Sequence, residues 1–167
     1  MTGYTLHPRR AGNWQRHKDA IIAISVGAPY HEGDRLAAIV GWAAQRFDRL
    51  HLQIGDTLQR HNSTAPDAYE QSKAAGDAWL KRNLPILQAT GKLTTVTRWH
   101  EMLERPEYPG TLAAFRMAAR ENTDLGGAIE TDVQRFLDRQ KPAPALPDAA
   151  QRSREYVLEE LAAITLH

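Results

Sequence analysis

The chain has 167 residues, with 21 Lys and Arg against 20 Asp and Glu, and it contains no cysteine. This length predicts a single domain over residues 1–167, large enough to bury its own core, and the lack of cysteine excludes disulfides, thiolate metal sites and thiol nucleophiles within it. Because the net charge is only +1, a nucleic-acid partner would have to be held by a local basic patch.

The first 17 residues are interpreted as an N-terminal arm. They lack the apolar core of a secretory signal, and no stretch of the chain approaches the roughly 20 apolar residues of a membrane span. We therefore expect a cytoplasmic protein with no membrane partner.

The first predicted strand is the apolar run AIIAISV at residues 20–26. Because the run has no polar alternation, we expect both of its faces to be covered, as in a parallel sheet flanked by helices. Ser25 closes the run, and open α/β sheets bind ligands at the carboxyl ends of their strands. Its hydroxyl is either a nucleophile or a turn-closing group. The Gly-x-Ser-x-Gly elbow is absent, since Ala23 fills its first glycine position.

Short strand-like runs at residues 50–54 and 93–96 predict a second and a third strand. Strands that alternate with helical patterns are typical of βαβ units. Apolar residues recur at helical spacing from Leu36 to Phe47 and predict the first helix. A longer second helix is expected to begin near Ser63 or Thr64 and to run to Gln88 before Gly91 ends it, with a kink or an early end at Pro85.

The second half of the chain predicts helices. A helical turn is expected at residues 99–103, and two helices within residues 111–140, interrupted around residues 124–127. Three prolines predict a stiff linker at residues 141–148, followed by a final helix over residues 149–164.

Two polar residues of the final helix, Tyr156 and Glu160, are four positions apart and therefore project from one face. They either meet over a pocket or are a core-edge tyrosine beside a solvated glutamate. The seven histidines include no His-x-x-x-His pair, so we expect no metal site.

Four segments occur in the order and at the separations typical of one enzyme family. They are AIIAISVGAPY, GWAAQRFDRL, TRWHEML followed by RPEY, and REYVLEE. Over about residues 18–162 the chain thereby resembles the tRNA-dependent cyclodipeptide synthases. That family resembles the catalytic domain of class I aminoacyl-tRNA synthetases, so the resemblance implies a Rossmann-like parallel sheet flanked by helices. It also implies that no cofactor is needed, because the aminoacyl ester is already activated.

The resemblance implies roles for three residues. In the family, a strand-end serine receives the aminoacyl group from a first charged tRNA, and Ser25 matches that serine. Tyr156 and Glu160 match a Tyr-x-x-x-Glu pair that holds the α-amino group of the aminoacyl moiety. Ester exchange between two hydroxyls is close to thermoneutral, so positioning can supply much of the catalysis. We expect the substrate to be lined by small and apolar residues: Ile21, Ala23, Gly27, Ala28, Leu52, Ile54 and Leu161.

The chain departs from the family pattern in three respects. Ala28 and Pro29 stand where one subgroup carries asparagine. The segment that matches the tRNA-binding helix offers only Lys73, Lys81 and Arg82, so a weaker or differently placed grip on aminoacyl-tRNA is expected. The chain also ends before the later strands and the loop with another catalytic tyrosine, which leaves the apolar first strand at a sheet edge and favours a homodimer or a partner chain.

Two functions follow from these observations. One is an aminoacyltransferase that loads Ser25 and passes the acyl group to a second aminoacyl-tRNA or to a small-molecule amine. The other is a non-catalytic relative that binds tRNA or an aminoacyl group. A nucleotide-binding Rossmann module is a third interpretation, but the loop VGAPYHEGDR lacks the G-x-G-x-x-G phosphate turn.

Overall fold

The computed structural model describes residues 16–139 and 147–166. Most of the predicted N-terminal arm and of the proline-rich linker thus lies outside the described residues. The chain forms two compact units. The first, called the sheet unit here, takes in the described residues up to Asp56 and Lys73–Arg98, and the second, the helical unit, takes in Thr57–Ser72 and the described residues from Trp99 onward. The single domain stays a prediction, since each unit has its own core.

The sheet unit contains three parallel strands: β1 (Asp19–Ser25), β2 (Arg49–Gly55) and β3 (Leu93–Arg98), in the order β1-β2-β3. Helix α1 (Gly33–Ala44) connects β1 to β2, and helix α2 (Ala68–Gln88), which begins in the helical unit, precedes β3. The predicted α/β fold with a parallel sheet is confirmed.

One face of the sheet packs against α1 and α2 and forms the core of the unit. Its buried residues are Ile22, Ile24, Leu36, Val40, Ala43, Phe47, Leu50, Leu52, Ile54, Trp79 and Leu87. Residues of β1 alternate between buried and exposed, because successive side chains of a strand point to opposite faces. Ile21 is 52% exposed and Ala23 is exposed as well. The expectation that both faces of β1 are covered is therefore wrong for the described residues: β1 is one of the two outer strands of the described sheet, and α1 and α2 pack on one face.

Helix α2 ends where predicted but begins later than predicted. The helix begins at Ala68, because the Ser63 hydroxyl accepts the backbone N–H of Ala65 at 3.1 Å and closes a turn instead of capping the helix. Pro85 lies inside α2 without ending it, since only the last turn follows. Gly91, at φ 65°, ends the helix region as predicted.

The helical unit contains a 3₁₀ turn at Thr57–Asn62 and four helices: α3 (Trp99–Leu103), α4 (Tyr108–Glu121), α5 (Thr123–Arg139) and α6 (Ala149–Thr165). The predicted interruption at residues 124–127 is misplaced. The break lies at Asn122, whose Oδ1 accepts the N–H groups of Asp124 and Leu125 at 2.9 and 3.0 Å and so caps α5. In the described ranges, no helix has the length and apolar character needed to cross a bilayer.

A buried ion pair fixes the carboxyl ends of β2 and β3. Arg98 Nε donates to Asp56 Oδ2 at 2.5 Å, and its Nη1 donates to Asp77 Oδ1 at 2.6 Å. A third bond runs from Nη2 to the carbonyl oxygen of Lys73 at 3.0 Å. Gly76 leaves the room for this arginine, since a Cβ at that position would lie 2.5 Å from Asp56 Oδ2 and 2.6 Å from Arg98 Nη2.

The substitution Gly76→Ala is expected to lower the free energy of unfolding by roughly 1–3 kcal/mol, because the added methyl overlaps the buried ion pair. Gly41→Ala in α1 is the matched control. A Cβ at Gly41 meets nothing within 4 Å, so helix propensity alone should make that variant neutral or up to about 1 kcal/mol more stable. Urea unfolding of both variants provides the measurement, and two equal effects would contradict the packing argument.

Candidate active site

Ser25 lies at the carboxyl end of β1, where the chain turns sharply away from the sheet. Ser25 pairs in register with Gly55 of β2, and Gly27 adopts φ 87°, which glycine tolerates without strain. The N–H of Ala28 closes the turn on the carbonyl oxygen of Ser25 at 3.2 Å. Among the described residues, the half-buried Ser25 hydroxyl has no hydrogen-bond partner. The hydroxyl is thus held at a strand end, and no hydrogen bond within residues 16–139 and 147–166 uses it.

His31 contacts the backbone of Ser25 and was not predicted as a site residue. The N–H of Ser25 donates to His31 Nδ1 at 2.8 Å, while the carbonyl oxygen of His31 accepts the indole N–H of Trp79 at 2.9 Å. Burial lowers the pKa of the His31 imidazole below its ordinary value. The only sequence signal for this contact is the short separation of six residues from Ser25.

The predicted substrate lining divides between the two faces of the sheet. Ile21 and Ala23 share the face of Ser25, since they alternate with the buried Ile22 and Ile24. Leu52 and Ile54 lie on the opposite face, in the core. The expectation that these four residues line one surface is wrong for Leu52 and Ile54, because side chains of paired residues in neighbouring parallel strands project to the same face.

The β2 residues that are in register with the exposed face of β1 are polar or glycine. His51 pairs with Ile21, Gln53 with Ala23 and Gly55 with Ser25. The sequence analysis missed them because it assigned the apolar residues of β2 to the substrate lining. The register instead places the alternate residues of β2 on the face of Ser25. Gly27 and Ala28, also predicted to bind substrate, lie in the turn that follows Ser25.

The other predicted site residues lie on α6, in the helical unit. Tyr156 packs against an apolar cluster formed by Leu58, Trp99, Met102 and Ala163. Its ring meets that of His61 edge-on, with the centroids 6.4 Å apart. Leu161 instead packs against the cluster of Ile129, Val133 and Leu158. Tyr156 and Leu161 therefore belong to different clusters.

Glu160 is half-buried and forms no hydrogen bond or ion pair within residues 16–139 and 147–166. Burial raises the pKa of its carboxyl group, and the negative charge of Asp132 on α5 raises it further. A cation that approaches such a carboxylate stabilises its ionised form.

The preceding residue, Glu159, has the opposite environment. Its carboxylate is buried and accepts two hydrogen bonds from Arg60, at 2.8 and 2.5 Å, and one from Trp99 Nε1 at 2.7 Å. His61 Nε2 lies 3.4 Å away. Burial opposes ionisation, yet the bonds from His61 and Arg60 outweigh it and hold the pKa of Glu159 at about 2. The sequence analysis missed this network because its partners lie 60 to 99 residues apart.

The basic residues predicted to bind tRNA are spread around α2. Lys81 and Arg82 are exposed, and Lys73 is half-buried. Lys73 and Arg82 are nine positions apart, which places them on opposite sides of the helix. Arg82 pairs with Glu32 at 3.1 Å, so part of its charge is already neutralised.

No group of three or more His, Asp or Glu side chains within the described ranges is arranged to hold a metal ion.

Comparisons of the sequence with a family model and with a curated relative point to the same family. The family model for cyclodipeptide synthase matches residues 1–163. Cyclo(L-leucyl-L-phenylalanyl) synthase of Streptomyces noursei is 27% identical over 157 residues, which cover 87% of this chain and 65% of that protein. The chain thus spans slightly less than two thirds of the length of this curated relative.

Two solved structures extend the similarity to the fold. A cyclodipeptide synthase from Fluoribacter dumoffii superposes with a TM-score of 0.81 at 25% identity and covers 89% of this chain and 71% of that one. A Mycobacterium tuberculosis protein, whose structure is described as demonstrating that cyclodipeptide synthetases are related to type I tRNA synthetases, gives a TM-score of 0.63 at 17% identity, over 89% of this chain and 67% of that one. The second similarity concerns the fold alone.

Proposed function

This chain belongs to the cyclodipeptide synthase family, and we propose that it is an aminoacyl-tRNA-dependent aminoacyltransferase whose nucleophile is Ser25. The observation that carries the proposal is the state of that serine. Its backbone is fixed by the strand, the turn and His31, whereas its hydroxyl forms no hydrogen bond with any described residue. A nucleophile needs this combination of fixed position and free lone pair.

The proposed reaction exchanges one ester for another. Ser25 Oγ forms a bond to the carbonyl carbon of the aminoacyl ester, the bond from that carbon to the ribose oxygen breaks, and the serine proton ends on the ribose oxygen. An amine then attacks the acyl carbon, the bond to Ser25 Oγ breaks, and an amine proton returns to the serine. Both steps conserve charge and need no external energy source. No cofactor is therefore included in the proposal.

Glu160 is proposed to bind the ammonium group of the aminoacyl moiety, with Tyr156 beside it on the same face of α6. Support comes from the contrast with Glu159, whose carboxylate is saturated by hydrogen bonds, whereas that of Glu160 has no partner among the described residues. A substrate ammonium would neutralise Glu160 and lower its pKa again. The side chain that the sequence resemblance selects is thus also the one that has no partner in the part of the chain that the structure describes.

The acceptor in the second step is proposed to be the amine of a second aminoacyl-tRNA, which would lead to a cyclodipeptide, or a small-molecule amine. Incubating the protein with a pool of charged tRNA, with and without added amines, distinguishes the two by mass spectrometry of the products. Faster loss of aminoacyl-tRNA than in a protein-free control is expected in either case. Equal loss in both reactions would contradict the proposed function.

We further propose that a second copy of this chain or a partner chain binds at the sheet edge formed by β1. Ile21 is exposed there, and an apolar sheet edge favours pairing with another chain.

Binding of tRNA is expected to involve few phosphates, because the basic residues of α2 do not form one patch. Lys81→Glu should weaken binding and reduce the slope of log affinity against log salt by about 0.9 or less, the value for one lost phosphate contact. Arg139→Glu, the same charge reversal on an exposed residue of the helical unit, is the control. Fluorescence anisotropy with labelled tRNA provides the affinities, and equal slopes for the two variants would contradict a contact at Lys81.

A further inference from the structure

The imidazole of His31 acts on Ser25 through its backbone and not through its hydroxyl. His31 Nδ1 lies 2.8 Å from the amide nitrogen of Ser25 and 3.4 Å from its carbonyl oxygen. The first is a hydrogen bond with the amide as donor, so Nδ1 must carry a lone pair. The proton of the neutral ring then sits on Nε2.

Three contacts within the sheet unit hold His31, two on its backbone and one on its ring. The carbonyl oxygen of His31 accepts from Trp79, a fully buried residue of α2. The N–H of His31 donates to the carbonyl oxygen of Ala28 at 2.9 Å. The Tyr30 ring packs edge-on against the imidazole, with the centroids 4.5 Å apart. The backbone that carries the imidazole is therefore fixed to the core independently of the Ser25 contact.

We infer that His31 is a positioning residue that holds the Ser25 nucleophile in place only while its imidazole is neutral. A protonated ring has a hydrogen on Nδ1, which would face the amide hydrogen of Ser25. The bond would be lost, and the new N–H would have to move to another acceptor; the Ser25 carbonyl oxygen lies 3.4 Å from Nδ1, too far for a good hydrogen bond without a change in geometry. The turn that carries Ser25 would have to shift. This inference rests on the proposed function.

The surroundings of His31 favour the neutral ring. Burial lowers the pKa of the imidazole, and the carboxylate of Glu32 offsets this only in part. Glu32 is itself paired with Arg82 and accepts a hydrogen bond from Asn83, both on α2. Acylation of Ser25 should therefore lose rate only when the pH falls below about 6.5, the ordinary pKa of histidine.

Two substitutions separate the hydrogen bond from the titration. Asn Oδ1 is bonded to Cγ as Nδ1 is, so His31→Asn keeps an acceptor that does not titrate. His31→Phe keeps a planar ring without an acceptor. Single-turnover acylation of Ser25 by aminoacyl-tRNA, followed by intact mass between pH 5 and 8, is the measurement. Substrate and Glu160 titrate equally in all three proteins, so differences between the profiles belong to His31.

The wild type should lose rate towards pH 5, whereas His31→Asn should stay within about threefold of the wild-type rate at pH 8 and lack the acid loss. His31→Phe should be roughly tenfold slower than the wild type at pH 8 and should approach the wild-type rate towards pH 5, because its part-buried Ser25 amide lacks a partner at every pH. An acid loss in His31→Asn equal to that of the wild type, or a His31→Phe rate equal to it at pH 8, would overturn the role of His31.

The failure of the underlying function has a different signature. If the wild type forms no Ser25 adduct at any pH, the proposed function fails and this inference with it. If the adduct forms and the profiles are identical, only the role of His31 is wrong. The ¹⁵N shifts of the His31 ring, measured without tRNA, add an independent readout: an unprotonated Nδ1 at pH 8 is expected, and a protonated Nδ1 would contradict the geometry.

Discussion

Replacing Glu159 with glutamine is expected to lower the free energy of unfolding by about 3–5 kcal/mol, because Arg60 would keep its position in a part-buried site without a counter-charge. The amide of glutamine still accepts hydrogen bonds, but it carries no charge and cannot accept both guanidinium bonds. Trp99 Nε1 and His61 depend on the same carboxylate. The loss should therefore affect a whole network and not a single contact.

The neighbouring substitution Glu160→Gln provides the matched control. Its carboxylate has no partner among the described residues and lies near Asp132, so removing its charge should change the stability by no more than about 0.5 kcal/mol. The same substitution should nevertheless abolish most aminoacyl transfer, since the ammonium of the substrate loses its counter-charge. Urea denaturation and single-turnover transfer, measured on both variants, separate stability from function.

Stability should also depend on pH through Glu159. Its pKa in the folded state, about 2, lies below the ordinary value of 4.5, so its contribution is fully present above pH 4.5 and is lost as the pH falls towards 2. The loss should amount to about 3 kcal/mol and should be missing from Glu159→Gln. Glu160, whose pKa is raised, contributes with the opposite sign. Parallel curves for wild type and Glu159→Gln between pH 4.5 and 2 would contradict the network.

The substitution Ser25→Ala should abolish the acyl-enzyme and slow aminoacyl transfer by at least about a thousandfold, as removal of a nucleophile does in other acyl transferases and hydrolases. Folding should be almost unaffected, because the hydroxyl has no partner among the described residues. Ser72→Ala is the matched control. Its hydroxyl donates to the carbonyl oxygen of Ala68 within α2, so it should retain full transfer activity.

Local patterns were sufficient to predict the sheet and most helices. The strand-like runs at β1, β2 and β3 are short and alternate with longer stretches of helical periodicity, and turn residues such as Gly91 mark where elements end. The predicted helix boundaries were wrong where tertiary contacts determine the structure. Gly126 looks like a helix breaker, but it lies within α5, where a Cβ would come 2.6 Å from the carbonyl oxygen of Ala119. Close helix packing, which is not visible in a local pattern, requires glycine there.

In the candidate site, too, local sequence patterns predicted some residues, whereas the roles of others depend on tertiary structure. Ser25, Tyr156 and Glu160 were selected by segment order and spacing, which are properties of the sequence. Leu52 and Ile54 were misassigned because an apolar residue can belong to the core or to a pocket, and only the register decides between them. The structural role of Glu159 could not be predicted from the sequence, since it arises from Arg60 and Trp99, which are remote along the chain.

Intact-mass analysis after incubation with charged tRNA tests the central claim most directly. The account predicts that the wild type gains the mass of an aminoacyl group, that fragmentation places it on Ser25, and that Ser72→Ala gains it equally while Ser25→Ala does not. The size of the added mass would identify the amino acid. An adduct of equal yield on wild type and Ser25→Ala, or no adduct on a wild type that binds the charged tRNA, would contradict Ser25 as the nucleophile.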